Sequence, residues 1–375
     1  MEFVVTKREF MKALGRVQSV ADKKSAMPVL TNVLIASDGS GALRLAATDL
    51  LIAISSTCPA EVRKGGSVAL PARSLFDMVK ALPEGEVQVS IAPNYSARVV
   101  GGRRKFDLVG MPGEDFPTLP SAGRTELRQI PAEALIDLIH FTSFSMSQDD
   151  TRPHLAGALF EAEGASLRMV TTDGHRLSKA EKQVEEQNEN KLSILIPQKG
   201  IMELRRLLDE IRAEKKAEGM GTVGMGRSGS NLFVQRDGTI IAVKLVDATF
   251  PPYSQVIPGS SERKARVARA ELLDALRAVS VVASDRTSGV KLQFSKARLI
   301  ISSENPDLGA GQDEMAVELD GTDLTVGFNS KYLIDVLSAL PSEDVSIELS
   351  GELDPGVIRM PEVNDFVGVI MPMRI

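Results

Sequence analysis

The residues best able to do chemistry in this 375-residue chain are few and scattered. One cysteine, Cys58, excludes an internal disulfide, and three histidines, His140, His154 and His175, offer little to a zinc site that needs four N, S or O ligands. Cys58 stands beside Pro59, far in sequence from any histidine, and reads as a small apolar filler rather than a nucleophile. The pairs Asp149-Asp150 and Glu185-Glu186 are neighbours in polar stretches with no second carboxylate or ligand placed near them, so acid/base and two-metal roles are unsupported. Gly219-Met-Gly-Thr-Val-Gly224 matches G-x-G-x-x-G. It follows a charged, helix-like run and precedes strand-like sequence, the reverse of the dinucleotide-binding order, and so reads as a flexible loop. Asn94-Tyr95-Ser96 is a glycosylation triplet only in form. No catalytic constellation is left, and the expectation is a non-enzyme without metal or cofactor.

Two other stretches resist a bland reading. Thr171-Thr-Asp-Gly-His-Arg-Leu177 sets a polar turn and a cation directly after an apolar strand. The run Val367-Gly-Val-Ile-Met-Pro-Met-Arg-Ile375 reads as a last buried strand, yet its two flexible methionines also suit a surface that accepts several peptides.

The elements that position these residues recur. Leu70–Pro83, Ile196–Leu208 and Phe328–Pro341 are one helical pattern three times over, and Thr6–Leu14, Pro131–Ile139 and Ala268–Leu276 are another. Apolar residues at i, i+3, i+4 and i+7 make both amphipathic helices. A third marker runs Ala47-Thr-Asp-Leu50, Thr171-Thr-Asp-Gly174 and Ser302-Ser-Glu-Asn305, and Phe116–Pro120 and Phe250–Tyr253 close the first two copies. Alternating stretches at Ala42–Thr48, Ser166–Thr172 and Ala297–Ser303 are strands, with turn signals at Asp38-Gly39, Glu163-Gly164 and Asp237-Gly238. The order predicts an α+β chain of three repeated domains, 1–124, 125–257 and 258–375, each two helices packed on antiparallel sheet.

Composition narrows the function further. The chain is 43% apolar, no stretch approaches a membrane span, and Met1–Phe10 has no signal-peptide core, so a cytoplasmic, non-membrane protein is expected. Few aromatics and no tryptophan argue against stacking of single-stranded bases. The net charge is −6, but basic residues recur on the helices: Lys7, Arg8, Lys12, Arg16, Arg73, Lys80, Lys199, Arg205, Arg206, Arg269, Arg277 and Lys331. Singly these are solvated helix faces; together they suit a surface that touches phosphates without reading bases. An enzyme on repeated α/β units, and a repeat protein that binds only other proteins, are the rival readings.

Pro28–Asn32, Ala47–Asp49, Leu70–Arg73, Thr172–Leu177, Phe250–Tyr253, Gly327–Tyr332 and Met371–Arg374 carry a resemblance to the bacterial replicative sliding clamps, the β subunits of DNA polymerase III holoenzyme, along all 375 residues. The resemblance implies three DNA-clamp domains forming half of a closed ring, with a head-to-tail homodimer around double-stranded DNA. Helices about 10 Å across fit that count, because six side by side leave a hole of roughly 9 Å and twelve leave roughly 28 Å, against a duplex of roughly 20 Å. By the same likeness Phe106 and Leu108 would meet Val281 and Val282 of the second chain. DNA would touch Lys24, Arg73, Gln148, Pro153, His154 and Lys199. A pocket for clamp-binding peptides of the polymerase III catalytic subunit, the clamp loader, other polymerases and repair proteins would be lined by Leu155, Thr172, Gly174, His175, Arg176, Leu177, Pro251, Val256, Asn329, Tyr332, Leu353, Val369, Ile370, Met371, Pro372, Met373 and Arg374. The chain departs from the family pattern at Gln148-Asp149, Pro153-His154, Gln255 and Thr287.

Overall fold

Local signals set the six α-helices among the described residues. The computed structural model describes residues 1–21, 26–37, 39, 41–214, 219–284 and 288–374, with backbone alone at 186–190. Lys24, Asp38 and Thr287 thus lie outside the described residues. Helix α1 spans Lys7–Val17 and buries Phe10, Ala13, Leu14 and Val17, one stripe at helical spacing. Thr6 Oγ accepts a hydrogen bond from the Glu9 amide, satisfying one of the N–H groups that a helix start leaves unpaired. Helices α2 (Ala72–Ala81) and α3 (Ala132–Thr142) each begin directly after a proline, whose missing N–H costs nothing there. Helix α4 is Gln198–Ala213, α5 is Arg269–Val279, and α6 is Ser330–Ala339, capped by Asn329 Oδ1 on the Lys331 amide at 2.9 Å.

The strands are antiparallel throughout the described pairings and form four sheets of five, nine, seven and four strands. Ala42–Thr48 is a strand as its alternation predicts. Asp237 and Gly238 both take positive φ, 44° and 73°, in a two-residue hairpin between Arg236 and Thr239, the turn that Asp-Gly favours. Glu163-Gly164 differs from expectation. It is no hairpin turn but a bulge inside the long strand Gly157–Thr172, with register shifts on either side and φ +55° at Gly164. The G-x-G-x-x-G segment is also not loop throughout, since Thr222–Ser228 is a strand. Glycine suits it because a Cβ on Gly226 would stand 2.6 Å from the Glu126 carbonyl oxygen.

Compactness does not follow the three copies. The chain divides into two units, one of Met1–Ile130 with Asp209–Leu245 and one of Pro131–Leu208 with Val246–Ile375, and the cut falls within α4. Strand pairing explains it. In the first unit, Ile52–Pro59 of the opening copy pairs with Thr239–Lys244 of the middle one. In the second, Arg176–Ala180 of the middle copy pairs with Phe366–Ile370 of the last, so one seven-stranded sheet runs through both. Helices α1 and α2 pack together in the first unit, as α5 and α6 do in the second.

Cys58 is buried in the first unit, and burial, with Glu9 adding to it, pushes its thiol up to about 12. A thiol so held stays protonated and inert.

Candidate functional site

The second unit gathers the Thr171–Leu177 stretch and the C-terminal run at one place. The strand Gly157–Thr172 turns at Asp173-Gly174-His175 into the strand Arg176–Pro197. Gly174 takes φ +92°, a conformation that side chains other than glycine's rarely adopt. The turn is tied by its own polar groups: Thr172 Oγ1 donates to the Arg176 carbonyl at 2.6 Å, and Asp173 Oδ1 accepts from the His175 and Arg176 amides at 2.9 and 3.0 Å. Arg176 lies opposite Ile370, and Leu177 opposite Val369, on the last strand, Val363–Ile370. Beyond it the tail is stitched on both sides. The Met371 amide donates to the His175 carbonyl at 2.9 Å and the Met373 amide to the Gly327 carbonyl at 2.8 Å, just ahead of α6.

Leu177, Val369 and Ile370 are core rather than accessible lining, at 3%, 1% and 1% exposure. Leu177 and Val369 form a cluster with Val170, Val357 and Val367, against which Phe250, Tyr253, Val256 and Ile257 pack. They are the floor. Of the other candidates, Met371, Pro372, Met373, Tyr332, Val256 and Pro251 are half-buried and Gly174 and His175 exposed, so they are open to a ligand. Leu155 is buried, and its Cδ1 would lie 4.0 Å from a Cβ on Gly174. Asn329 serves as the α6 cap. Leu353, 64% exposed, sits in the loop leading to the strand Gly356–Met360, and Arg374 is exposed at the chain end.

The segment carrying Pro251 and Val256 is held by Tyr253. Its hydroxyl donates to Glu161 at 2.9 Å and accepts from Arg168 at 3.2 Å, and Arg168 is also paired with Glu181. Burial pushes the Glu181 carboxyl up, but hydrogen bonds from Arg168, Lys179 and Ser166 outweigh it and hold the group down to about 2. A carboxyl depressed in the fold contributes stability that is present above its unfolded value and lost as pH falls toward the folded one. Thermal stability of the second unit is therefore expected to drop as pH falls from about 4.5 to about 2, with a shallower drop in Glu181→Gln, measured by calorimetry across that window. Equal slopes in the two proteins would remove Glu181 as the cause.

Sequence reasoning missed three groups here: Asp173, Asp335 and Phe144. All three touch Arg176. Usable signals existed for two of them, because Asp173 lies inside the Thr171–Leu177 stretch and Asp335 stands three residues after Tyr332 on α6, on the same helix face.

The basic helix positions split in two. Lys7 pairs with Glu84 at 3.0 Å, Lys12 with Glu214 at 2.7 Å and Arg16 with Glu210 at 2.5 Å, while Arg269 donates to the Ser342 and Leu337 carbonyls. Lys7, Arg16 and Arg269, all half-buried, serve the fold, which corrects their reading as part of a shared cationic face, while Lys12 stays exposed beside an exposed Glu214. Arg206 lies 3.9 Å from Glu203, exposed. Arg8, Arg73, Lys80, Lys199, Arg205, Arg277 and Lys331 are exposed, Arg73 with Asp77 3.8 Å away. Gln148 and Pro153 are exposed and His154 half-buried, on the loop between α3 and the strand Gly157–Thr172.

Phe106 and Leu108 lie on Arg104–Leu108, the edge strand of the five-stranded sheet in the first unit. Val281 is 77% exposed in the turn after α5. Its neighbour Val282 crowds Gly311 of the strand Gly309–Ala316, the edge of the four-stranded sheet in the second unit. Edge strands present unpaired backbone groups, which is where a further strand can add.

Among the described residues no group of His, Cys, Asp or Glu could hold a metal ion, and no helix is long and apolar enough to cross a membrane.

Three family models cover nearly the whole chain: the N-terminal domain of the DNA polymerase III beta subunit at residues 1–120, its central domain at 129–252 and its C-terminal domain at 254–374. Beta sliding clamps of Pseudomonas aeruginosa and Escherichia coli K12 are 32% and 30% identical over 377 aligned residues, covering all of both chains. The crystal structure of the DNA polymerase III subunit beta from Pseudomonas aeruginosa superposes with a TM-score of 0.93 at 31% identity and full coverage of both chains. The sliding clamp from Bacillus subtilis does so at 0.93 and 26%, covering 100% of this chain and 99% of its own. With three successive domains matched in order along its length, the chain belongs to the DNA polymerase III beta subunit family, the beta sliding clamps.

Proposed function

We propose that two copies of this chain close head to tail around duplex DNA, slide on it without reading sequence, and tether the replicative polymerase through the pocket of the second unit. The observation that carries this reading is the count of six α-helices among the described residues of three successive clamp domains, which we delimit at 1–124, 125–257 and 258–375. Twelve helices of about 10 Å width enclose a hole wide enough for a duplex, and six do not. The two exposed edges, Arg104–Leu108 with Phe106 and Leu108, and Gly309–Ala316 beside Val281 and Val282, are different surfaces. They suit a heterologous contact, which forms a ring only when the rotation closes.

Enclosure retains the clamp on DNA, so phosphate contacts from Arg73, Lys199 and the other exposed cations stay few and weak enough to permit sliding. A polymerase held at the pocket then rebinds its template at high effective concentration, which is processivity without catalysis. The clamp loader, other polymerases and repair proteins would share the pocket in the cytoplasm, and no cofactor is required. Loader-assembled protein should remain on nicked circular DNA and leave once the circle is linearised. Equal retention on both forms, or a strictly monomeric species by light scattering at micromolar concentration, would sink this reading.

A further inference from the structure

Arg176 is the cation that draws the eye in the pocket turn, and its chemistry is already committed inside the protein. The side chain is 10% exposed. Its Nε donates to Asp173 at 3.1 Å, one terminal nitrogen to Asp335 at 2.6 Å and the other to the Phe144 carbonyl at 2.5 Å. The guanidinium carbon lies 4.4 Å from the centre of the Tyr332 ring and 5.7 Å from that of Phe144. A planar cation that already donates from all three nitrogens and rests on an aromatic ring keeps one N–H on each terminal nitrogen, and at 10% exposure it offers a bound carboxylate little.

These contacts join separate parts of the second unit. Asp173 belongs to the turn of the middle copy, Phe144 follows α3, and Asp335 and Tyr332 lie on α6 of the last copy. Of Arg176's partners, Asp335 is the only carboxylate supplied by α6, and it stands one turn from the tyrosine on which the cation rests. Without it the guanidinium keeps its turn and its Phe144 bond but loses the charged tie to the helix that carries a pocket wall.

We propose that Asp335 is a positioning residue for the peptide pocket. It acts through Arg176 to hold the α6 wall, with Tyr332, at a fixed separation from the Thr172–Leu177 turn, and neither Asp335 nor Arg176 reads charge on the bound peptide. The proposal rests on the pocket reading given above. The consequence for specificity is that an acidic group on the ligand gains little from Arg176, whose three nitrogens already donate to Asp173, Asp335 and Phe144.

The test uses full-length clamp and the purified DNA polymerase III catalytic subunit of the same genome, immobilised on a sensor. Asp335→Asn keeps size and removes charge, and is expected to weaken binding about tenfold, within the range of coupling between contacting residues. Asp335→Glu, which restores the carboxylate, should recover most of that loss. Arg176→Met should weaken binding to a similar degree, and adding Asp335→Asn to it should cost little more. A thermal midpoint for each variant near that of the parent separates mispositioning from unfolding. Binding by Asp335→Asn equal to the parent's overturns the inference alone, as does an undiminished loss in the Arg176→Met background, which would mean that Asp335 acts independently. A parent clamp that does not bind the subunit overturns both the pocket reading and this inference.

Discussion

Truncation after Ile370 is expected to weaken capture of the polymerase catalytic subunit at least about 100-fold, close to 2.7 kcal/mol, while light scattering of the truncated protein matches that of the parent. The tail, a wall of the proposed pocket, is tied on both sides, through Met371 to the His175 carbonyl and through Met373 to that of Gly327, and its loss removes both ties together. It also removes the half-buried Met371 and Met373, flexible apolar side chains suited to differing ligands, and Pro372 between them. The self-association candidates should be untouched, because Phe106 and Leu108 belong to the five-stranded sheet and Val281 and Val282 to the turn after α5. A truncated clamp that binds the subunit as the parent does would show that the tail is no part of the site.

Phe366→Ala should have the second large effect, lowering the stability of the second unit by about 3–5 kcal/mol. Phe366 is 1% exposed on the last strand and packs on Phe141 of α3 with ring centres 6.1 Å apart. Lys182 sits over that second ring, 5.7 Å from its centre and within 2.9 Å of both Asp137 and Asp365. Burial opposes its charge, but the two carboxylates outweigh burial and raise its pKa. An alanine at 366 would therefore open a void beside Phe141, the ring over which the ion-paired lysine sits, at the seam where two copies share one sheet. Urea titration should give a lower midpoint than for Val363→Ala on the same strand, where the side chain is 45% exposed. Equal midpoints for the two variants would place the anchoring elsewhere.

The helices were legible because their determinants are local. Thr6 ahead of Glu9, proline before α2 and α3, and stripes such as Phe10, Ala13, Leu14 and Val17 all lie within a dozen residues of one another. The partners of strands and of cations do not. Arg16 looks like a solvated helix cation until Glu210, 194 residues away, is brought to it. Pairing of Arg176–Ala180 with Phe366–Ile370 likewise joins segments nearly 200 positions apart. The Glu163-Gly164 step misled for a different reason, since a hairpin turn and a bulge both need positive φ, and glycine alone does not tell them apart. The candidate pocket residues came through resemblance, and burial alone separated Leu177 and Val369, which are core, from Met371 and Tyr332, which are open to a ligand.

The sheets that run across copy boundaries also decide what could be cut from this molecule. In an array whose repeats touch neighbours only face to face, one repeat can be removed or transplanted with a modest loss. Here residues 125–257 taken alone would carry two raw seams, because Thr239–Lys244 would be parted from Ile52–Pro59 and Arg176–Ala180 from Phe366–Ile370. Each seam would expose a ladder of unsatisfied backbone groups flanked by apolar side chains, the recipe for self-adhesion. The middle copy is in this sense not a module but a graft, its two halves belonging to different neighbours. Recombination among such genes should therefore tolerate exchange of whole chains far better than exchange of domains.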